Sequence, residues 1–400
     1  MTPVARISAA IEILDAVMDG ESAERVLTSW ARGHRYAGSK DRAAIRDHVF
    51  DALRCLRSFA WLGGAGGRIG DGVEGRRPTG RQLMIGFLRD AGVDLGTMFN
   101  EARFAPSPLS EDEIDLPDLA EASRAVRLDC PDWILPLYES VLGDDTDAVL
   151  STARSRAPVF LRVNFAKASV AEAQEALLAD SIETEPHPLS PTALKVTHGA
   201  RAVARSQAYL TGLVELQDAG SQAIIDALPL KDGMCVLDYC AGGGGKALAM
   251  AAQANVTLTA HDIDSARMQD IAPRASRAGA VITTARMAEL ADHYDLVLCD
   301  VPCSGSGSWA RAPQAKWMLQ DTRLDALTQL QSQILDDVAP RVVSGGILAY
   351  ATCSLFDVEN TTQISNFLTR HPEFELKSDR LITPLEGGDG FYVAILIKNA

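Results

Sequence analysis

Two short stretches bring thiols to places where a nucleophile can be used. Residues 294–307 read YDLVLCDVPCSGSG: an apolar run, Leu296 to Cys299, stops at Asp300 and is followed at once by Val301, Pro302 and Cys303. Residues 349–354 end the same way, on Thr352, Cys353 and Ser354. An apolar run that stops at an acid, a proline and a thiol has the pattern of a buried parallel strand. Such a strand delivers reactive groups to its C-terminal edge, where open α/β sheets place ligands. A thiolate is a soft, strong nucleophile. A single cysteine is more often core filling, and Cys55, Cys130, Cys235 and Cys299 are read that way. Cys303, after Asp-x-Pro, and Cys353, between Thr and Ser, are read as chemical.

A glycine-rich turn lies upstream. Asp238-Tyr239-Cys240-Ala241-Gly242-Gly243-Gly244-Gly245-Lys246 closes a predicted strand and opens a predicted helix. Glycines at such a turn let the backbone approach a ligand, and a helix N-terminus favours negative charge. A nucleoside triphosphate asks for GxxxxGK[ST], but Cys240 stands at the first glycine position and Ala247 follows the lysine. A dinucleotide asks for GxGxxG; Gly243 and Gly245 match, and Leu248 takes the third place. S-adenosylmethionine needs no phosphate cradle. It asks for a close-approach loop and an acid at the end of the next strand for the ribose hydroxyls. Asp262 stands there, with Asp264 as a near alternative.

A thiol and a methyl donor together suggest chemistry on a pyrimidine. Carbon 5 of cytosine is a poor nucleophile. A thiolate added to carbon 6 makes carbon 5 enamine-like, able to take a methyl group from a sulfonium. A base then removes the carbon 5 proton and the thiolate leaves. The chemistry needs one thiol under the ring, a group that protonates or polarises the ring nitrogen, and a base. Cys353, Cys303, Asp300 and Lys246 all fall at predicted strand tips or in the loop beside them.

The elements that must position these groups form a regular alternation from about residue 211. Strands at 234–240, 256–262, 294–300 and 347–354 alternate with helical stretches, and one at 390–398 follows without a clear crossover helix, which predicts a mainly parallel, doubly wound sheet with an antiparallel last strand. Before it, PVFLRVNF (158–165), a helix at 168–178 and LKVT (194–197) form a small β-α-β segment, either an RNA-facing platform or a lid. Residues 5 to about 60 are helical, with Ile7, Ile11, Leu14 and Met18 on one face and Ile45, Val49, Leu53 and Leu56 on another. Residues 63–82 are a glycine-rich loop, and 105–118, APSPLSEDEIDLPD, has the composition of a linker. The domain plan is thus 1–125 helical, 126–210 helical plus small α+β, and 211–400 a Rossmann-like α/β domain.

Bulk properties narrow the partners. Four hundred residues hold two or three domains. No apolar run reaches membrane-spanning length, and the N-terminus carries acids inside its apolar pattern, so a cytoplasmic protein is expected. Seven cysteines without CxxC spacing point to reduced thiols and no metal site. The net charge of −15 argues against non-specific coating of nucleic acid while leaving room for a local basic groove. The cation-rich stretch RGHRYAGSKDR (32–42) is read first as a solvated face and second as a grip on RNA phosphates.

The catalytic half resembles the RsmB/Sun (NOP/NSUN) family of RNA 5-methylcytosine methyltransferases. The matching pieces, in order, are LRVN (161–164), QDAGSQ (217–222), VLDYCAGGGGK (236–246), DIDSAR (262–267), CDVPCSGSG (299–307), KW (316–317), GGILAYATCSL (345–355), EN (359–360) and GGDGFYVAIL (387–396). The N-terminal helices resemble, more distantly, the NusB-like domain of bacterial members. The resemblance implies a class I methyltransferase fold with S-adenosylmethionine as cofactor. It implies Cys353 as nucleophile, Cys303 as the thiol that assists breakdown of the covalent adduct, Asp300 near cofactor and target base, and Lys246 approaching the base. Cys240, Ala241, Gly242, Gly243, Gly244, Gly245, Lys246 and Asp262 would hold the cofactor, with Asp300 beside it. Swapped thiol roles, as in DNA-type enzymes, are the alternative. RNA is the implied partner, rRNA ahead of tRNA, with the protein acting as a monomer.

The chain departs from the family pattern in three places. Gly242 and Gly243 replace the usual Ala-Pro of the loop, Thr284 stands where an acid is usual, and the surroundings of Arg311-Ala312-Pro313-Gln314 lack further charged residues. Candidate compensating cations are Arg154, Arg156, Arg162, Arg201, Arg205, Arg311 and Lys316. Two rival readings follow: a non-catalytic RNA-binding or ribosome-assembly factor on the same fold, and a dehydrogenase, which the broken dinucleotide fingerprint disfavours.

Overall fold

The computed structural model describes residues 1–66 and 77–399, so half of the predicted 63–82 loop lies outside the described residues, and residues 80–82 of it belong to a helix. The chain divides into two compact units, one of Met1–Arg156 with Trp309–Gln320, the other of Ala157–Ser308 with Asp321–Ala400.

The first unit is helical: α1 (Pro3–Met18), α2 (Ala23–Gly33), α3 (Ser39–Arg54), α4 (Leu56–Leu62), α5 (Gly80–Asp90), α6 (Arg124–Arg127), α7 (Leu135–Leu142) and α8 (Thr146–Thr152). α1 starts where the Thr2 hydroxyl accepts from the Ala5 N–H and Pro3 supplies a pre-set φ. It buries Ile7, Ala10, Leu14 and Val17, with Ile11 and Met18 at the margin of the same core. The acidic 105–118 stretch is not a free linker. Leu109 and Leu116 pack against the helical core, and Arg81 grips Glu113 at 2.7 Å. That bond holds the Glu113 carboxyl down at about 2.

The second unit contains two sheets. The smaller begins with β1 (Phe160–Val163), then α9 (Val170–Ala179), β2 (Glu183–Pro186), β3 (Ala193–His198), α10 (Gln207–Leu210) and β4 (Val214–Leu216). Its order is β2-β3-β1-β4, antiparallel throughout. The larger follows: α11 (Ala219–Asp226), β5 (Cys235–Asp238), α12 (Gly245–Gln253), β6 (Thr257–Ala260), α13 (Ile271–Ala278), β7 (Thr283–Thr284) and β8 (Tyr294–Asp300). After α14 (Pro313–Met318), which counts with the first unit, come α15 (Asp321–Val338), β9 (Val342–Thr352), α16 (Thr361–Arg370), β10 (Phe374–Ile382) and β11 (Phe391–Lys398). The order is β10-β11-β9-β8-β5-β6-β7, parallel except for β11 and β10.

Both faces of the large sheet are covered, which explains the unbroken apolar runs. Along β8, Val297 and Cys299 enter one core while Leu296 and Leu298 enter the other. β9 and β11 alternate in the same way, with Leu348, Tyr350, Tyr392 and Ala394 on one side and Ala349, Ala351, Val393 and Ile395 on the other. β10 is a strand that the sequence pattern hides. It is the edge strand, and Glu375, Lys377, Asp379 and Arg380 along it are exposed, as charged edges that discourage aggregation are. Cys235 is also placed differently from its expected core position, exposed at the first residue of β5. Among the described residues no helix is long and apolar enough to cross a membrane.

One close approach ties the strand ends together. A Cβ at Gly307 would lie 2.2 Å from the Gly390 carbonyl oxygen. The Gly307 N–H donates to the Cys353 carbonyl at 2.9 Å, and the Gly390 N–H donates to the Gly307 carbonyl at 2.8 Å. The substitution Gly307→Ala must push β11's start away from the loop after β8. A loss of about 3 kcal/mol in urea-unfolding free energy is expected.

Candidate active site

The strand order reverses between β5 and β8, the switch point at which such sheets open a crevice beyond their C-terminal ends. The loop after β5 carries the glycines, and β8 ends on Asp300. Asp300 pairs in register with Ala351 of β9, and the Val301 N–H extends the ladder to the Ala351 carbonyl at 3.0 Å. Two neighbouring parallel strands therefore finish at one level. Cys303 and Cys353, just beyond them, are half-buried with their sulfurs 3.3 Å apart.

The contact between them divides the two thiols. Hydrogen bonding with Cys303 lowers Cys353 below the ordinary thiol value, against the cost of burial and the Asp300 charge, and the Lys246 cation adds to the lowering. The same bond, burial and the Glu359 charge push Cys303 well up. Of the two thiols, Cys353 is therefore the one whose ionisation the contact favours. Lys246 Nζ lies 2.6 Å from Asp300 Oδ2. Burial works against the lysine's charge, the Asp300 carboxylate outweighs it, and the ammonium sits above its usual value.

A set of groups outside the sequence-predicted site holds the Cys303 loop. Glu359, fully buried, accepts from the Ser304 N–H at 2.8 Å, the Ser304 hydroxyl at 2.5 Å and Gln331 Nε2 at 3.0 Å. Ser306 Oγ bridges to Ser354 Oγ at 3.0 Å and accepts from the Leu355 N–H at 2.8 Å. Asn360 caps the other side, accepting from Thr352 Oγ1 at 2.6 Å and donating to the Ser354 carbonyl at 2.9 Å. The sequence signal was the Glu-Asn pair at 359–360, which follows the second thiol too closely for a long helix to intervene.

The glycine loop is shaped for close approach. Gly242 and Gly244 take positive φ of 50° and 78°. The Gly242 N–H donates to Asp262 Oδ2 at 2.9 Å, the Asp264 N–H to Asp262 Oδ1 at 3.0 Å, and Arg267 pairs with Oδ2 at 3.1 Å. Asp262 is thus fixed at the end of β6, and Asp264 is spent as the cap of the following turn. Arg274 donates to the Gly243 carbonyl, and Arg162 donates to the Gly245 carbonyl at 2.9 Å. Cys240 is half-buried and packs against the sheet core, its thiol pushed up by burial. Ala241 anchors the loop through its N–H to the His261 carbonyl at 2.8 Å.

The family model described as "16S rRNA methyltransferase RsmB/F" matches residues 225–396, and one described as an RsmF/B-like ferredoxin-like domain matches 130–203. The curated ribosomal RNA small subunit methyltransferase B of Yersinia pseudotuberculosis is 30% identical over 439 residues, covering 98% of each chain. The chain belongs to the RsmB/Sun family of RNA methyltransferases. The enzyme of the same name from Yersinia enterocolitica is 29% identical over 98% of each chain. Among solved structures, that of PH0851 covers 100% of this chain and 99% of its own at a TM-score of 0.75 and 22% identity. A methyltransferase homologue from Pyrococcus horikoshii covers 68% of this chain and 97% of its own at a TM-score of 0.60 and 24% identity. These two likenesses speak for the fold.

S-adenosylmethionine is the cofactor of this RsmB/Sun family chain, and the site suits it. Asp238, at the end of β5, is buried with neither carboxyl oxygen hydrogen-bonded, and burial together with the Asp300 charge raises it to about 7. Asp238, Asp262 and Asp300 act on one another across this edge, so the crevice favours a cation such as a sulfonium or an amino group. Ile263, next to Asp262, is 95% exposed and offers an apolar contact for a flat ring. Thr284, which stands in place of the family acid, is exposed in β7.

The cations proposed from sequence to hold RNA fare differently. Arg162 is buried under the glycine loop and Lys316 is buried against the Arg54 carbonyl at 3.3 Å. Arg154 is bonded to buried Asp129 at 2.8 Å and Arg156 to Asp47 at 3.3 Å. Arg201, Arg205 and Arg311 are exposed. The thiol pair itself yields a pH test. Wild-type Cys353 should react with iodoacetamide at a lower pH than an ordinary thiol, and Cys303→Ala should move that midpoint upward by removing the donor to the thiolate. Peptide mass spectrometry across pH 6–10 reads both, and an unmoved midpoint would mean that the bond does not tune Cys353.

Proposed function

We propose that this RNA methyltransferase modifies carbon 5 of a cytosine through a covalent adduct with Cys353. The observation that carries the reading is the contact of the two sulfurs, 3.3 Å apart at one sheet edge, which lowers Cys353 and raises Cys303. A thiolate is the form that adds to carbon 6, and Cys353 is the thiol of the two whose ionisation is favoured. S-adenosylmethionine, when bound, supplies an electrophilic methyl group on a sulfonium.

The chain's own groups do the rest. The target base leaves its stack to reach the thiols. Cys353 bonds to carbon 6, pushing electrons to carbon 5, while the Lys246–Asp300 pair polarises the ring. After carbon 5 is methylated, its proton passes to a base and the electrons expel the Cys353 thiolate. The Cys303 S–H that stabilised this anion before addition stabilises it again as it departs. Gly242, Gly243, Gly244, Gly245 and Asp262 hold the cofactor, with Cys240 and Ala241 supporting the loop from behind. The names of the relatives support rRNA over tRNA as the substrate, and the protein is proposed to act as a monomer.

A methylation assay on total RNA tests the roles. Cys353→Ala should give no product, and Cys303→Ala should accumulate protein–RNA adduct on denaturing gels. The reverse pattern would swap the roles, and full activity in both would remove the mechanism.

A second reading, an assembly factor that has lost catalysis, is favoured by Thr284 and by the ties that already engage both oxygens of Asp262. Calorimetry separates the two. Wild type should bind S-adenosylmethionine, and Asp262→Ala should weaken it by tenfold or more, about 1.4 kcal/mol. Absence of binding to wild type would favour the assembly factor.

A further inference from the structure

Most of the cations first considered for RNA are buried or paired, in a chain of net charge −15. Another set lies together in the first unit. A cavity of about 470 Å³ is lined by Trp30, Arg32, Arg35, Arg42 and Arg46 over an apolar floor that includes Leu27 and Ile45. Arg32 belongs to the last turn of α2, Arg35 to the turn that follows, and Arg42 and Arg46 lie one helical turn apart on α3. Residues 25–46 carry six Lys or Arg and a single acid, Asp41. That acid is taken up by the Met1 ammonium at 3.1 Å and Arg6 at 2.8 Å.

The charged groups around the cavity leave it strongly positive. Glu24 on α2 pairs with Arg46, and Arg42 Nε donates to the Ala37 carbonyl at 2.8 Å. Arg32 and Arg35 are exposed, and neither has an ion-pair partner among the described residues. Trp30 is buried, and its indole N–H, a donor only, has no acceptor among the described residues. The His34 ring stacks on Trp30 with centroids 4.2 Å apart, and Tyr36, 73% exposed, meets His34 edge-on. Apart from the Thr28 hydroxyl, the polar side chains of the wall are donors. A ligand must therefore bring acceptors and negative charge, and the volume accepts a unit of nucleotide size.

We propose that this cavity grips the phosphates of a single-stranded RNA segment, with Tyr36 offering a face to an unstacked base. Guanidinium forks match phosphate oxygens, and an exposed aromatic ring beside them suits a base better than an acidic peptide. The proposal rests on the reading of RNA as substrate and adds a contact surface built by the helical unit.

The test uses the full chain and a labelled single-stranded RNA that lacks cytosine, followed by fluorescence anisotropy over a salt series. Arg32→Gln with Arg35→Gln should weaken binding about tenfold or more and flatten the log–log salt slope by about 1.4, roughly 0.7 for each lost phosphate contact. Tyr36→Ala should weaken binding with the slope unchanged. In the methylation assay both variants should raise the KM for RNA and leave kcat and S-adenosylmethionine affinity as in wild type. Affinity and slope unchanged in the double variant overturn the assignment, as does tighter binding of polyglutamate than of RNA, which would make the cavity a protein-docking site. A wild-type chain that neither binds nor methylates any RNA fails at the substrate reading itself, which the variants alone would not reveal.

Discussion

The parallel pairing of β8 with β9 is the constraint on which the site depends. Because Asp300 lies in register with Ala351, both strands end together, and the residues just past each end are forced to share one small space. A register slip of one residue would turn Cys353 to the opposite face of the sheet. The Gly307–Gly390 approach and the bonds of Glu359, Ser304, Ser306 and Asn360 hold the two exits from the sheet at that level. The sulfurs meet because backbone hydrogen bonds leave them no other arrangement.

Within that frame, electrostatics gives the two equal thiols unequal chemistry. The contact between them lowers Cys353 and raises Cys303, and the buried Glu359 carboxylate adds to the rise at Cys303. The same edge carries more acids than cations, which suits a positively charged donor and leaves the RNA to be held elsewhere. In this protein a good crevice for the cofactor is a poor surface for phosphates, so the two demands fall on different parts of the chain.

The sequence made much of this legible for definite reasons. β5, β8 and β9 are buried on both faces and read as apolar runs, and their ends are marked by Asp, Pro, Gly and Cys. The antiparallel last strand and the pairing of Cys303 with Cys353 followed from those marks. β10 escaped because an edge strand carries charge along its length and shows no apolar period. Arg162 and Lys316 were misread because a cation's burial depends on contacts with residues far away in sequence: Gln217 and Gly245 for one, Arg54 for the other. The arginines at 32–46 were undervalued for the opposite reason. In sequence they are a solvated run, and only the turn between α2 and α3 gathers them around one cavity.

The paired glycines of the cofactor loop lie under the ends of two arginines. A Cβ at Gly242 would meet the Arg267 guanidinium at 2.9 Å, and one at Gly243 would meet Arg274 at 3.2 Å. The space over these glycines is taken by two arginine tips, one from the turn after β6 and one from α13. Both contacts are with the far ends of flexible side chains, so bulk added at Gly243 would swing Arg274 aside, while at Gly242 the positive φ, more than the guanidinium, is what excludes a side chain.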